Sequence, residues 1–354
     1  MTVSPPAARG SRQTTRTSVE VVFRAERDVA SWEARHARGE VPGRWPYGLD
    51  LLARPGVDLR TVSLPEPTRA DRVRSLVRAT VHRPRGHGDV GIAWDENLAR
   101  RMLVLSPHAR MFAGTIWLTD ALEIDPSADR VRHALDVLRR MDGVFVNSRA
   151  QVEPLQAALG RSGPPVSFFT FGVDHEFFAA QPPAATPLVV SVGGDRDRDP
   201  TTLFAALSRV HEARPDVEIV VQNASDVPAP AGVTKIPRLT HAELRDLYAR
   251  ASVVALATRP NLHMSGLTVS LESMSTGRPV VLTATPGHED YHRDGETALL
   301  VPPQEPAELA DRVIGLLDAP DDAAALGRRA RQAVEDRFTS AHLADGMAQA
   351  VGLD

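Results

Sequence analysis

The chain has 354 residues, of which 42% are hydrophobic and 24% are charged, and its formal net charge is −4. This composition is typical of a globular protein long enough for two domains, and the charge balance does not indicate a nucleic-acid partner. The chain contains no cysteine, which excludes disulfides, thiolate metal sites and cysteine nucleophiles.

The beginning of the chain and its longest apolar runs bear on location. Residues 1–17 are polar and lack an apolar run, so we predict a disordered leader instead of a signal peptide. No apolar stretch approaches the ~20 residues of a membrane span. We therefore predict a cytoplasmic protein, with peripheral membrane contact through an arginine-rich helix left open. The oligomeric state is not indicated.

Residues 18–171 alternate between strand and helix patterns, as in a doubly wound parallel sheet. The predicted strands are 19–23, 59–64, 89–94, 110–117, 143–146 and 166–171. The predicted helices are 25–38, 99–105, 131–140 and 151–159. The loop 44–52 either binds an acceptor or packs its aromatic rings on the core. This half has neither GxGxxG nor GxxxxGK[ST], so a standard dinucleotide or Walker site is not supported.

Two carboxylates follow predicted strands of this first half. Asp95 comes after strand 89–94, and Asp120 comes at the end of strand 110–117. Ligands of open α/β sheets bind at the carboxyl ends of the strands, so both are candidate catalytic residues. The alternative is that each aspartate only caps the next helix.

A proline-bearing segment, 172–187, separates this half from a second one and reads as an interdomain linker. Strand and helix patterns then alternate again through 188–336, and a terminal helix occupies 337–354. The predicted strands are 188–192, 217–221, 234–236, 253–257, 280–282 and 295–303, the last with a turn. The predicted helices are 201–212, 242–250, 306–318, 321–334 and 338–351. Two such domains imply a cleft between them, where ligands usually bind.

The loop after the first strand of the second half, 193–200, is a candidate anion site. It reads GGDRDRDP, so Gly194 allows close approach, and Arg196 or Arg198 could pair with phosphate oxygens. The alternative is a solvated loop whose arginines pair with its own aspartates.

The stretch 264–281, MSGLTVSLESMSTGRPVV, predicts a short helix that runs into a buried strand. Leu267, Leu271 and Met274 recur at helical spacing, and Gly277 ends the helix. A continuous apolar run follows, as expected for a parallel strand.

The beginning of this helix has the properties of a nucleotide site. Ser265 and Gly266 are small, and the first amides up to Thr268 lack intrahelical partners, so they could bind a phosphate. Glu272 lies four residues after Thr268 on the same face, about one turn or ~5 Å from the phosphate position. A carboxylate there suits a sugar diol. The alternative is an ordinary α/β helix, since small residues and one glutamate are common in such proteins.

Several segments, in order, resemble the retaining glycosyltransferases of family 4, which have the GT-B architecture of two Rossmann-like domains facing each other across a cleft. The segments are GVDHEFF (172–178), VSVGGDRDRDPTTLFAAL (190–207), LTHAELRDLYARASVVALAT (239–258), SGLTVSLESMSTGRPVV (265–281), DGETALLVPP (294–303) and RFTSAHLADGM (337–347). The resemblance is strong from about residue 142 onward and weak before it.

The resemblance assigns roles to particular residues of the second half. Glu272 takes the place of the glutamate that holds the nucleotide ribose, and the backbone of 265–268, which includes Leu267, takes the place of the amides over the diphosphate and sugar. Arg198, with Arg196 beside it, falls at the diphosphate-binding positions. Arg238 and Leu239 fall where the family's backbone meets the base.

Three departures from the family pattern accompany these assignments. Met264 stands where the family usually has a first glutamate, eight positions before Glu272. The glycine-rich loop after the first strand is replaced by residues 24–27, and the histidine often found after the fourth strand has no clear match.

The resemblance implies transfer of a sugar from a UDP- or GDP-linked nucleotide sugar to an acceptor hydroxyl, with retention and without a metal or cofactor. The acceptor would be a small molecule, a lipid or a glycan, in cell-envelope or natural-product glycosylation. Two alternatives stay open: a catalytically inactive sugar-nucleotide-binding protein and a sugar-nucleotide epimerase.

Overall fold

The computed structural model describes residues 16–71 and 89–353, so the predicted leader lies almost entirely outside the described residues. Two six-stranded sheets form its framework, with strand orders β2-β1-β3-β4-β5-β6 and β12-β11-β10-β7-β8-β9. The strand pairs of both sheets are parallel. The predicted fold class, two doubly wound α/β domains facing each other across a cleft, is confirmed.

The first sheet and its helices come from the first half of the chain. Its strands are β1 Thr17–Arg24, β2 Val57–Leu64, β3 Asp89–Ala93, β4 Arg110–Gly114, β5 Gly143–Val146 and β6 Val166–Phe168. Its helices are α1 Val29–Ala37, α2 Glu96–Leu105, α3 Leu118–Ile124, α4 Asp129–Leu138 and α5 Val152–Leu159, with 3-10 helices at Pro46–Leu52 and Arg149–Gln151.

The second sheet repeats this plan. Its strands are β7 Leu188–Val192, β8 Glu218–Gln222, β9 Val233–Ile236, β10 Val253–Leu256, β11 Val280–Thr283 and β12 Leu299–Val301. Its helices are α6 Pro200–Ala213, α7 His241–Arg250, α8 Leu267–Ser275, α9 Pro306–Asp318 and α10 Pro320–Arg337, with a 3-10 turn at His288–Asp290. Strands β7, β10 and β11 are buried along their whole length, as their continuous apolar sequences require in a sheet covered on both faces.

The strand predicted over 110–117 is shorter than expected. β4 ends at Gly114, and the next residues turn toward Glu96, whose carboxylate accepts hydrogen bonds from the Thr115 hydroxyl at 3.3 Å and the Ile116 amide at 3.2 Å. The chain then enters α3, so Asp120 lies in the first turn of a helix, not at a strand end.

The last helix, α11 Ser340–Val351, returns to the first domain. The Arg110 guanidinium donates to the Val351 carbonyl at 2.8 Å. The returning chain runs beside the linker, where the Val173 amide donates to the Phe338 carbonyl at 2.9 Å and the Ser340 amide donates to the Val173 carbonyl at 3.0 Å. Two adjacent chain segments therefore join the domains.

Within 16–71 and 89–353, none of the helices combines the length and the apolar sequence that crossing a bilayer requires.

Candidate functional site

The cleft between the two sheets contains two neighbouring cavities of about 280 and 230 Å³, called here the first and the second cavity. Both are lined by Tyr47, Phe171 and Thr268, so they adjoin across these three residues. The first cavity lies where β3, β4, β5 and β7 end, which is the expected position of a ligand site in two facing α/β domains.

The N-terminus of α8 opens into the first cavity. Its N-cap is Gly266, which has a φ of 94° and offers no side chain to cap the helix. The residues from Ser265 to Val269 line the cavity. Because the first amides of a helix have no intrahelical partner and carry the positive end of its dipole, this turn can bind an anion.

The Arg198 guanidinium lies against this turn. A Cβ atom on Gly193 would come within 2.4 Å of Arg198 Nη2, and one on Gly266 within 2.9 Å of Nη1, so both glycines make room for the side chain. Arg198 Nε is buried without a hydrogen-bond partner, and no described residue forms an ion pair with the guanidinium. Burial lowers the pKa of Arg198. A cation left unpaired in this way is costly, and an anionic ligand would remove that cost.

The neighbouring arginine behaves differently. Arg196 is exposed, lies 3.2 Å from the Asp197 carboxylate and donates to the Trp117 carbonyl at 3.1 Å. It lines neither cavity, whereas Gly194 lines the first one. Arg196 therefore follows the alternative of a solvated arginine paired with an aspartate of its own loop, whereas Arg198 is placed for the predicted phosphate contact. The geometry does not support that contact for Arg196.

Glu272 lines the second cavity together with Thr268, as the four-residue spacing predicted. Its carboxylate is buried and accepts a hydrogen bond from the Tyr248 hydroxyl at 3.1 Å. Burial raises the pKa of Glu272 to about 8. Arg238 is exposed at the same cavity, but Leu239 packs against the core and does not line it.

Asp95, a predicted catalytic residue, is held in a structural arrangement. Its Oδ1 accepts hydrogen bonds from the amides of Asn97 and Leu98, both at 2.9 Å, and caps α2. Its Oδ2 pairs with Arg24 at 2.9 Å. Helix capping, the alternative interpretation, describes this geometry.

Asp120, the other predicted catalytic residue, bridges the domains. Its two oxygens accept hydrogen bonds from the Leu262 amide at 2.6 Å and from Nδ1 of His263 at 2.7 Å. Asp120 is buried and lines neither cavity, so the geometry gives it a positioning role instead of a contact with substrate.

His263 is a site residue that the motifs of the sequence do not identify. It lines the first cavity, and its Nε2 lies 3.3 Å from Asp195 Oδ1. Burial lowers the pKa of His263, but hydrogen bonds to Asp120 and Asp195 outweigh this effect and raise it to about 9. The family resemblance implies a histidine only after the fourth strand, in the other domain. The available signal was its position immediately before Met264.

Asp195, Asp197 and His263 offer atoms within 4.8 Å of one another, a spacing that could hold a metal ion. These atoms already have partners, however. The Ser265 hydroxyl donates to Asp195 Oδ1 at 2.8 Å, and Arg196 pairs with Asp197. The cluster is therefore satisfied by protein groups.

Part of the chain is similar in sequence to known glycosyltransferases. Residues 186–319 match the sequence model of the family described as Glycosyl transferases group 1. The D-inositol 3-phosphate glycosyltransferase of Corynebacterium urealyticum is 26% identical over 261 residues, which cover 65% of this chain and 61% of that protein. The Mycobacterium avium protein of the same name is 34% identical over 124 residues, covering 35% and 28%. The matched part thus spans less than two thirds of these curated relatives.

Two solved structures share the fold over nearly the whole chain. Sucrose-phosphate synthase from Thermosynechococcus elongatus has a TM-score of 0.66 at 17% identity, with 94% of this chain and 98% of that chain covered. Anabaena HepE, solved in complex with UDP-glucose, has a TM-score of 0.69 at 14% identity, with 96% and 100% covered.

The two facing α/β domains and the cleft between them give this chain the GT-B architecture, which the two solved structures share. Within that architectural class, the group 1 match and the glycosyltransferase relatives confirm the predicted resemblance to glycosyltransferase family 4.

Proposed function

We propose that this protein transfers a sugar from a UDP- or GDP-linked donor to an acceptor hydroxyl, with retention and without a metal ion. The observation that carries the proposal is the unpartnered Arg198 guanidinium beside the uncapped first turn of α8. A leaving diphosphate supplies the anion that both features lack.

The two cavities fit the two ends of such a donor. The nucleoside would occupy the second cavity, where the Glu272 carboxylate accepts hydrogen bonds from the ribose diol and Arg238 lies at the base. The diphosphate would lie over residues 265–268 and Arg198, and the sugar would enter the first cavity. Thr268, shared by both cavities, lies at the junction where the phosphates would be.

Charge stabilisation is the main catalytic contribution proposed for these groups. Negative charge develops on the leaving diphosphate, and Arg198 and the helix amides are already oriented toward it. Asp95 and Asp120 are held by other protein groups, so we assign neither as a nucleophile. The leaving phosphate would instead accept the proton of the acceptor hydroxyl.

The acceptor would bind on the side of the first domain. A third cavity, of about 170 Å³, shares Tyr47, Trp94 and Trp117 with the first cavity and is also lined by Arg27 and by the ion pair of Arg24 with Asp95. Arg27 beside aromatic rings suits a hydroxyl-bearing molecule with an anionic group, and the curated relatives are named for inositol 3-phosphate. A small-molecule acceptor in the cytoplasm is therefore favoured over a lipid or glycan.

A second candidate function is binding of a nucleotide sugar without transfer. Met264 at the position of the first signature glutamate and the paired aspartates of the first domain favour it. Both functions require the same donor site, so they differ only in whether product forms.

Calorimetric titration with UDP-glucose, GDP-mannose and their nucleoside diphosphates tests the proposal. We expect one base to be bound, and Arg198→Gln to weaken that binding at least tenfold because a charged hydrogen bond is lost. Arg196→Gln is the matched control and should change affinity by less than threefold. Absence of nucleotide binding in the wild type would overturn the proposal.

Product analysis then separates the alternatives. Incubation of the bound donor with inositol phosphates and other polyol phosphates should give a glycoside, whose anomeric configuration NMR would show to be retained. Binding without any product would favour the inactive binding protein. An isomerised nucleotide sugar formed without acceptor would indicate an epimerase.

A further inference from the structure

Asp195 occupies an unusual position for an acidic residue. It lines the first cavity, beside the Arg198 guanidinium, in the loop after β7. A carboxylate next to a site for a diphosphate repels the ligand unless its charge is compensated. We therefore ask which group compensates the negative charge of Asp195 and what the carboxylate binds.

Hydrogen bonds from both domains fix the Asp195 side chain. Its Oδ1 accepts from the Ser265 hydroxyl at 2.8 Å, the Asp197 amide at 3.0 Å and His263 Nε2 at 3.3 Å. Its Oδ2 accepts from the Trp117 indole at 3.1 Å. Burial raises the pKa of Asp195, but the hydrogen bond from His263 and its other donors hold it well below the usual range.

Part of the compensating charge comes from His263, which lies between two carboxylates. Its Nε2 faces Asp195 of the second domain and its Nδ1 faces Asp120 of the first. Asp197 Oδ2 is farther away, at 3.8 Å, and pairs with Arg196 instead. His263 thus links the domains and offsets part of the negative charge of the two carboxylates. The Arg198 guanidinium, which attracts Asp195 electrostatically, offsets the rest.

Among the charged residues that line the first cavity, Asp195 is the one able to accept hydrogen bonds from a ligand. Arg198 only donates, and both ring nitrogens of His263 already face carboxylates. Met264 offers no strong acceptor, and its sulfur accepts a contact from the Thr285 hydroxyl at 3.6 Å. Asp195 Oδ2 accepts one hydrogen bond within the described structure and has capacity for more.

We infer that Asp195 is a specificity-determining residue that accepts hydrogen bonds from hydroxyl groups of the donor sugar, and that His263 and Asp120 are positioning residues that hold it across the domain boundary. This inference rests on the proposed function. It adds that a carboxylate of the loop after β7 recognises the sugar. This carboxylate is far in sequence from Met264, the position at which the family usually has its first glutamate.

The test compares donors with and without a sugar. For each variant, calorimetry measures the affinity for UDP and UDP-glucose, or for GDP and GDP-mannose if the wild type prefers that base. Asp195→Asn should weaken nucleotide-sugar binding about tenfold, as expected for the loss of a charged hydrogen bond. Binding of the nucleoside diphosphate should stay the same or tighten, because a repulsive charge is removed.

Asp246→Asn is the control, since it makes the same change on an exposed carboxylate that lines neither cavity. It should change both affinities by less than threefold. Asp120→Asn should lower the ratio of the two affinities in the same direction as Asp195→Asn, but less. His263→Gln combined with Asp195→Asn should lower that ratio no further than Asp195→Asn alone, because the histidine acts through the aspartate.

Two results would overturn the inference. One is an equal loss of affinity for the diphosphate and the nucleotide sugar in Asp195→Asn, which is what a purely structural role produces. The other is no loss for either ligand while the melting temperature shows a folded protein. A wild type that binds no nucleotide would instead refute the proposed function, so the two failures are distinguishable.

Discussion

The two domains share one plan of six parallel strands but treat their charged groups in opposite ways. In the second domain, Arg198 has no partner in the described structure, and the first turn of α8 has no side-chain cap. In the first domain, Asp95 pairs with Arg24 at 2.9 Å and caps α2, and Asp120 holds His263 at 2.7 Å.

This difference shows how a binding function can be located without a ligand. A buried cation without a partner is costly in the free protein and so marks a place where an anion can bind, whereas a charge that only supports the fold is paired within the protein. We therefore place the proposed donor site in the second domain, where the unpaired guanidinium lies, while the first domain supplies aromatic walls and positioning groups.

Among the tests of this contrast between the two domains, the largest effect is expected at Glu272 of the second domain. Above about pH 8, where the wild-type carboxyl is ionised, we expect Glu272→Gln to weaken nucleotide binding about 10- to 100-fold, because the ribose diol loses a charged acceptor. The free energy of unfolding should not fall, since a buried carboxyl with a raised pKa is replaced by a neutral group. Calorimetry and chemical denaturation measure the two effects. The exposed Glu308→Gln serves as control, and unchanged nucleotide affinity in Glu272→Gln would contradict the ribose assignment.

The two glycines at the ends of α8 sharpen the comparison further. Gly266 and Gly277 have φ values of 94° and 74°, so alanine at either site should cost about 1 kcal/mol of stability. Only at Gly266 would the new Cβ also meet Arg198, whereas nothing lies within 4 Å at Gly277. We expect about a tenfold loss of nucleotide affinity in Gly266→Ala and none in Gly277→Ala, measured beside their melting temperatures. Equal effects on binding would show that backbone strain alone is responsible.

The bridge between the domains predicts a pH dependence. The pKa of His263 is raised from 6.5 to about 9 in the folded state, so its ion pairs contribute stability that is complete below about pH 6.5 and lost as the pH rises through about 9. Glu272, with a pKa of about 8, changes stability in the same direction, so the wild-type curve alone is not diagnostic.

Comparing the wild type with His263→Gln isolates the bridge, because the variant keeps the contribution of Glu272. Their difference in free energy of unfolding, from urea denaturation between pH 6 and about 9.5, should shrink as the pH rises. A difference that is constant over this interval would mean that folding does not raise the pKa of His263.

The smallest effect is expected at Asp95, where the capping and catalytic interpretations predict different results. Asparagine caps helices as well as aspartate does, so Asp95→Asn should lose only the ion pair with Arg24, which is partly exposed. We expect sugar transfer within threefold of the wild type and stability within about 1 kcal/mol. A hundredfold loss of transfer in a stable variant would restore the catalytic assignment.

Much of the fold was predictable because its signals are local. The helix Pro306–Asp318 has the predicted bounds, since proline fits the first turn of a helix and the apolar positions recur at helical spacing. The strand over 110–117 was predicted too long because the carboxylate of Glu96, which shortens it, lies on a different element.

In the candidate site, too, features set by local spacing were predictable and features set by contacts between elements were not. Glu272 and the turn before α8 could be identified because their spacing along one helix fixes their geometry. The sequence did not reveal which of Arg196 and Arg198 would lack a partner, because Asp197 and Trp117 decide that through contacts between elements.

By itself, the sequence determined two α/β domains, the order of their elements and a helix whose first turn and Glu272 lie on one face, because these depend on periodicity and short spacing. Only the tertiary structure decided that Asp120 holds His263, that His263 compensates Asp195, and that Arg198 stays unpaired. These relations join residues from separate loops and separate domains, and the partner of a charge is set by distances that exist only after the chain has folded.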